Sequence, residues 1–412
     1  MATTVRIPGL VLTDHEFQIP LDHAKPDGQR ITVFAREVAD PYGDDLPYLV
    51  FLQGGPGSEA PRPTGVPMNP GWLGRALQEF RVIMLDQRGT GRSTPVETLP
   101  DMTAQQQADY LKHFRADSIV RDAEWIRNEL GVDKWSVLGQ SFGGFCAMTY
   151  LSIAPEGLRE AFFTGGVPPL GHHPDDVYRA TFATMLERNR RFYLRYPGDR
   201  DRVRRIVELA DAGQIRLPVG DVLTSRRFRQ IGNKLGMSDG AEHMHYLLER
   251  DPLSGVFARD VAAAMPFSGR NPLYVAVHEA CYADGAVTNW SADRMRPQEF
   301  ADDPTLFTGE HLFPWMLTDY SDLAPLADAT ELLVKHEWPR LYDEARLREC
   351  DVPCAAAIYA EDAYVDSALS METARRIPTM RPWLTNEYEH NGLRASGGAV
   401  LDRLIKLTRG LA

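Results

Sequence analysis

Short apolar runs alternate with amphipathic stretches in two parts of the chain, and the part between them has a different pattern. From 47 to 165 the runs "YLVFLQGG", "RVIMLDQRG", "WSVLGQS" and "REAFFTGG" are each of strand length, and most meet glycine at the C-terminal end. Between the second and third, Ile119, Ala123, Ile126 and Leu130 recur at helical spacing, with Gly131 placed to stop the helix. Strands alternating with helices predict a parallel sheet covered on both faces. The pattern resumes at 353 with "PCAAAIYAED" and "RPWLTNEYEH", and closes with the amphipathic "GAVLDRLIKLTRGL". The first 45 residues contain "ITVFAREV" and no clear helix, which predicts antiparallel strands at one sheet edge.

The middle reads as mostly helical. "VYRATFATMLERNRRFYLRYP", "DRVRRIVELADAG", "TSRRFRQIGNKLG" and "GAEHMHYLLERDP" each end at glycine or proline. The expected layout is a split α/β core, residues 1–167 and 346–412, with an inserted helical cap at 168–345. Such an insertion sits above the C-terminal edge of the strands, where open α/β sheets bind ligands.

Composition changes this picture little. The balance of 57 acidic and 45 basic residues, a formal net charge of -12, argues against nucleic acid and anionic membranes as partners. Thirteen arginines fall between Arg179 and Arg229, but the aromatic residues among them do not interleave in a binding pattern and the whole chain is acidic, so they read as a solvated helical face. Cys146, Cys281, Cys350 and Cys354 are too scattered for a disulfide framework. They read as small apolar residues, and Cys350 and Cys354 lack a second pair for a metal site. No metal or cofactor is signalled. The N-terminus shows no secretory pattern and no stretch reaches the roughly 18 apolar residues of a membrane span, so the expected location is the cytoplasm.

The chemistry starts at "GQSFG". Gly139-Gln140-Ser141-Phe142-Gly143 follows a strand and opens a helix, the context in which G-x-S-x-G holds its serine on a strained, exposed turn. A serine hydroxyl needs a base, and the base needs an orienting acid; for such an elbow the chain order is Ser, then Asp or Glu, then His. Of eleven histidines only His390 lies in the second α/β segment, on the turn "EHNG" after a strand. For the acid, "AAAIYAEDAYVD" offers Glu361, Asp362 and Asp366. Asp362 is the choice, just past the strand end, with Asp366 the alternative. The oxyanion donors expected are the N–H groups of Phe142 and of Gly55 in "QGGPG".

These residues together resemble the proline iminopeptidase family of α/β-hydrolases. The resemblance rests on "QGGPG", "DQRGTGRS" at 86–93, "GQSFGG", "YAEDAYVD" and "EHNG". Gln53 stands where the family usually has histidine, and Phe142 where tryptophan is common. Asp86 and Arg88 read as buried structural residues. The resemblance implies release of an N-terminal proline from short peptides with a free N-terminus, without a cofactor. It also implies that cap carboxylates receive the substrate's amino group: Glu279 and Glu310 are the candidates, with Asp284 a third. Tyr282, Phe313 and Trp315 are expected to wall the proline ring. The rival readings are an esterase or amidase with the same triad, whose pocket needs no buried anion, and a hydrolase-like binding protein without turnover. Ser141 argues against haloalkane dehalogenases and epoxide hydrolases, which use an aspartate nucleophile.

Overall fold

The computed structural model describes residues 3–43 and 45–412; Met1, Ala2 and Asp44 lie outside the described residues. Its centre is a nine-stranded sheet. In chain order the strands are β1 (Thr3–Ile7), β2 (Leu10–Pro20), β3 (Arg30–Ala39), β4 (Tyr48–Leu52), a two-stranded hairpin outside the sheet, β5 (Thr64–Gly65) and β6 (Met68–Asn69), then β7 (Arg81–Leu85), β8 (Trp135–Gln140), β9 (Leu158–Thr164), β10 (Cys354–Tyr359) and β11 (Met380–Thr385). Across the sheet they run β1-β2-β3-β7-β4-β8-β9-β10-β11. The first three are antiparallel, β3 meets β7 antiparallel, and all pairs from β7 to β11 are parallel.

The apolar runs seen in the sequence are these parallel strands. Both β8 and β10 are buried along their whole length, as expected where helices cover both faces. The helices Ala116–Glu129 and Phe142–Ile153 pack on one face, with Ile119, Ala123 and Ile126 buried in one core cluster with Val137 and Phe145. The closing helix Ala399–Thr408 packs on the other, burying Val400, Leu401, Leu404 and Ile405 with Leu138, Phe162 and Ala355. A strand of this sheet and its neighbour in sequence, β9 and β10, are separated by a long helical insert that contributes no strand to the sheet.

Within the insert, Pro174–Arg195, Asp199–Asp211 and Gly240–Leu248 form as the apolar spacing predicts. "TSRRFRQIGNKLG" does not make one α-helix: one turn, Ser225–Phe228, passes into a 3-10 stretch, Arg229–Gly236. Gly232, in the 3-10 stretch, packs closely against Phe307: a Cβ there would sit 2.3 Å from the Phe307 side chain. Most of the arginine run is exposed and paired with neighbouring acids, such as Arg179 with Asp176 and Arg204 with Asp201. Arg188, Arg227 and Arg229 differ. They turn inward and donate to main-chain carbonyls at Glu361, Asp319, Leu306 and Phe300.

All four cysteines are free and buried. Asp86 accepts from Ala60 and Arg92 N–H and from the Arg62 guanidinium, and Arg88 is enclosed with Asp122, so both hold the loops after β4 and β7. Among the described residues, no helix is long and apolar enough to cross a membrane.

Candidate active site

The serine sits where β8 turns into the helix Phe142–Ile153, with φ 56° and ψ −126°. That is a conformation L-residues rarely adopt, and it lifts the side chain off the sheet's edge. Close approach on both sides requires glycine. A Cβ on Gly139 would lie 2.3 Å from the Gly143 carbonyl oxygen, and one on Gly143 only 1.9 Å from that of Leu52. The Ser141 N–H donates to the Thr164 carbonyl at 3.0 Å, which ties the elbow to β9.

Two loops at the same edge complete the arrangement. Asp362 follows β10 and His390 follows β11. His390 Nδ1 lies 2.7 Å from Asp362 Oδ2, and its Nε2 lies 2.9 Å from Ser141 Oγ. An ionised carboxylate only accepts, so Nδ1 carries the proton and Nε2 accepts from the serine hydroxyl. The other Asp362 oxygen accepts from Tyr364 and Val365 N–H, at 2.8 and 3.1 Å, which fixes the carboxylate's orientation. Burial works against the His390 cation, but the charge and hydrogen bond of Asp362, with a smaller contribution from Glu310, lift its pKa above the ordinary imidazole value.

The other acids of that segment serve elsewhere. Glu361 pairs with Arg191, and Asp366 caps the helix Ser367–Arg376 by accepting from Leu369 N–H at 2.9 Å. Asp284 accepts from Leu341 and Tyr342 N–H and so holds the chain before β10.

The loop carrying Gly55 passes beside the nucleophile: a Cβ on Gly54 would come 2.8 Å from that of Ser141. Gly55 has φ +123°, open to glycine. Gln87 Nε2 fixes the loop by donating to the Gln53 carbonyl at 3.0 Å. The Phe142 N–H heads its helix and has no acceptor inside it, and the helix's positive end lies at the serine.

The insert covers this edge. Asn271 donates to Ser58 Oγ at 3.3 Å, so the segment from Asn271 rests on the same loop. It brings in Tyr274, His278 and Tyr282, spaced by four residues. Their rings form a row, His278 lying 5.4 Å from Tyr274 and 5.9 Å from Tyr282, edge to face in both cases. Tyr282 also meets Phe145 and Tyr178, and Phe145 meets Phe142 beside the nucleophile. Tyr364 lies over His390 at 4.4 Å.

Glu310 enters this aromatic chamber. It accepts from the Tyr274 hydroxyl, and its side chain keeps a relative exposure of 10%. Desolvation raises its pKa to about 7, against the opposing effects of Tyr274 and of His390. Among the described residues no lysine or arginine pairs with it. Glu279 is placed differently. Its pKa is also pushed up to about 7 by burial, but its two oxygens accept from Ser291 and Ala292 N–H, at 3.2 and 3.0 Å. Of the three expected ring-wall aromatics only Tyr282 joins the chamber. Phe313 and Trp315 stack on each other at 5.5 Å, under Arg296 and Arg226.

Sequence reasoning missed His278, Tyr274, Tyr178 and Tyr364. The i, i+4, i+8 spacing that links Tyr274 and His278 to Tyr282 was the available signal for two of these positions.

The sequence matches the family described as alpha/beta hydrolase fold over residues 47–340. It is 46% identical to a proline iminopeptidase from Aeromonas sobria, over 98% of each chain. The chain belongs to the proline iminopeptidase family. A second member, from Aspergillus aculeatus, is 35% identical over 97% of this chain and 94% of its own. A proline iminopeptidase from Neisseria gonorrhoeae matches at 32% over 30% of this chain and 33% of its own. Full-length similarity to the first two therefore includes the long insert, and not the serine elbow alone.

Proposed function

We propose that this proline iminopeptidase family member is a serine aminopeptidase that releases N-terminal proline from short peptides through an acyl-enzyme. The observation that carries the reading is Glu310, a carboxylate with no lysine or arginine partner among the described residues, set in an aromatic chamber beside His390. An ester pocket gains nothing from such a group. A terminal ammonium supplies the missing charge and hydrogen bonds.

In the proposed mechanism the ammonium of the first residue meets Glu310, and its carbonyl lies over Ser141. His390 Nε2 takes the hydroxyl proton as Oγ attacks, and Asp362 stabilises the imidazolium. The N–H groups of Phe142 and Gly55 receive the oxyanion; one such donor is worth about 3 kcal/mol. His390 then protonates the leaving amine, and water repeats the attack to free the amino acid. The helical insert, residues 168–345, acts as a cap that ends the pocket at the ammonium and leaves no room for residues before it. Glu279 supports this wall by holding Ser291 and Ala292, and its charge adds to the field seen by the ammonium. The four free, buried cysteines suit a reducing compartment, and we place the protein in the cytoplasm.

A panel of aminoacyl-arylamides and short acyl esters compared by kcat/KM tests the reading. Prolyl-arylamide is expected to lead the panel, and Ser141→Ala to retain less than about 1% of that activity. Preference for acetate or butyrate esters over every amine-bearing substrate overturns it in favour of an esterase.

A further inference from the structure

His278 is buried, and among the described residues neither of its ring nitrogens makes a hydrogen bond of normal length and angle. Buried polar side chains are nearly always paired, so an imidazole with two free nitrogens beside a reactive site calls for a ligand-based explanation. The ring has a defined setting. Tyr274 and Tyr282 meet it edge to face on either side, and His278 Nε2 lies 3.8 Å from Glu310 Oε2. That separation is too long for a hydrogen bond between the two and short enough for one nitrogen to bridge both. A second orphan, the Tyr178 hydroxyl, belongs to the same chamber, with its ring 5.9 Å from that of Tyr282.

We propose that His278 is a specificity-determining residue: its neutral imidazole is the second acceptor, with Glu310, for the two N–H donors of a substrate's N-terminal prolyl ammonium. The proposal rests on the aminopeptidase reading above and names how that site selects its substrate.

The chemistry is consistent with each observation. A secondary ammonium has two N–H groups and needs two acceptors when taken out of water. Glu310 supplies one with the compensating charge. A second ionised carboxylate at the same point would carry a further desolvation cost, whereas a neutral imidazole offers a lone pair without charge. Burial lowers the His278 pKa to about 4, against a favourable approach of the Glu310 main chain, so the ring is neutral at physiological pH and does not repel the ammonium. Tyrosine faces around it add cation–π attraction. His311, next to Glu310 in the chain, shows what a satisfied histidine looks like: it accepts from Gly309 N–H at 3.1 Å and bonds Thr181 at 3.0 Å.

The test compares two substrates on the full-length enzyme: prolyl-4-nitroanilide and the 4-nitrophenyl ester of cyclopentanecarboxylic acid, which keeps the five-membered ring and lacks the nitrogen. His278→Phe keeps ring volume and removes the acceptor. It is expected to lower kcat/KM on the prolyl substrate 10- to 100-fold, mainly through KM, and on the ester by less than about threefold. His278→Gln, which restores an acceptor, is expected to recover part of the prolyl loss and none of any ester loss. Equal losses on both substrates, or an unchanged prolyl KM, overturn the proposal. Ester turnover also reports folding; where His278→Phe fails it, the same comparison on His278→Met decides. A wild-type enzyme that cleaves the ester and leaves the prolyl substrate untouched overturns the aminopeptidase reading itself, a result distinct from any behaviour of the variants.

Discussion

Arg188, on the helix Pro174–Arg195, donates to the carboxylate of Glu389, the residue next to His390. Its other terminal nitrogen also donates to the Glu361 carbonyl, next to Asp362. One guanidinium from the insert thus ties together the two loops that carry the base and the acid. Arg188→Met is expected to lower kcat on a prolyl-arylamide about 10- to 100-fold with little change in KM, because loosened loops misplace the imidazole while the ammonium pocket stays intact. Steady-state kinetics on purified variant check this, and a loss confined to KM would assign Arg188 to substrate binding instead.

The Asp362 carboxylate is held at one oxygen by two N–H donors and offers the other to His390. In Asp362→Asn the amide oxygen has to stay with those donors, so its NH2 faces Nδ1. The imidazole then takes the tautomer with Nε2 protonated, which cannot accept the serine proton. A fall in kcat of about 10⁴ is expected, with the fold intact by circular dichroism. A loss of tenfold or less would mean that His390 acts without its orienting acid.

How much of this was legible in the sequence depends on how local each signal is. Ser141, Asp362 and His390 stand at strand ends, and a strand end is visible in one dimension as an apolar run meeting glycine or acid. The structure brings these three residues together in a single hydrogen-bonded chain. The insert is less regular. Its segments between Pro272 and Leu333 are single turns and short helices, too brief for periodicity to reveal which side chain faces inward. That is why Phe313 and Trp315, aromatic and close to Glu310 in sequence, point instead toward two arginines. Glu279 and Glu310 look alike as letters. Only the tertiary structure shows that main-chain N–H groups hold one and a tyrosine the other.

Two glycines separate steric necessity from backbone preference. A Cβ on Gly143 would collide with the Leu52 carbonyl oxygen at 1.9 Å, whereas Gly131 has φ +66° and nothing within 4 Å of an added Cβ. Gly143→Ala has to push β4 away from the serine elbow and is expected to cost about 3 kcal/mol or more, together with activity. Gly131→Ala meets only left-handed strain, about 1 kcal/mol, and keeps full activity. Urea unfolding of both variants measures the difference; equal costs would show that the elbow yields more easily than its contacts imply.

Glu310 gives the molecule a pH signature with a definite sign. Its pKa is about 7 in the folded protein against an ordinary value of 4.5. Between these values the native state keeps a proton that the unfolded chain has lost, so stability falls as pH rises from about 4.5 to about 7 and stays low above that. Glu279 and His390, whose pKa values are also raised, act in the same direction. Glu310→Gln removes one of these titrations. The variant is expected to gain about 3 kcal/mol relative to the wild type at pH 8 and almost nothing at pH 4, measured by denaturant unfolding at the two pH values. Activity moves oppositely. Wild-type kcat/KM on a prolyl-arylamide is expected to rise through pH 7 as Glu310 ionises, and to fall near pH 8 as the substrate's amine loses its proton. In the variant the prolyl rate drops at least tenfold at pH 8, while an ester without an amine is spared. A carboxylate that destabilises the fold and is indispensable only for amine-bearing substrates is what a recognition site requires; a variant equally impaired on both substrates would show Glu310 to be part of the framework.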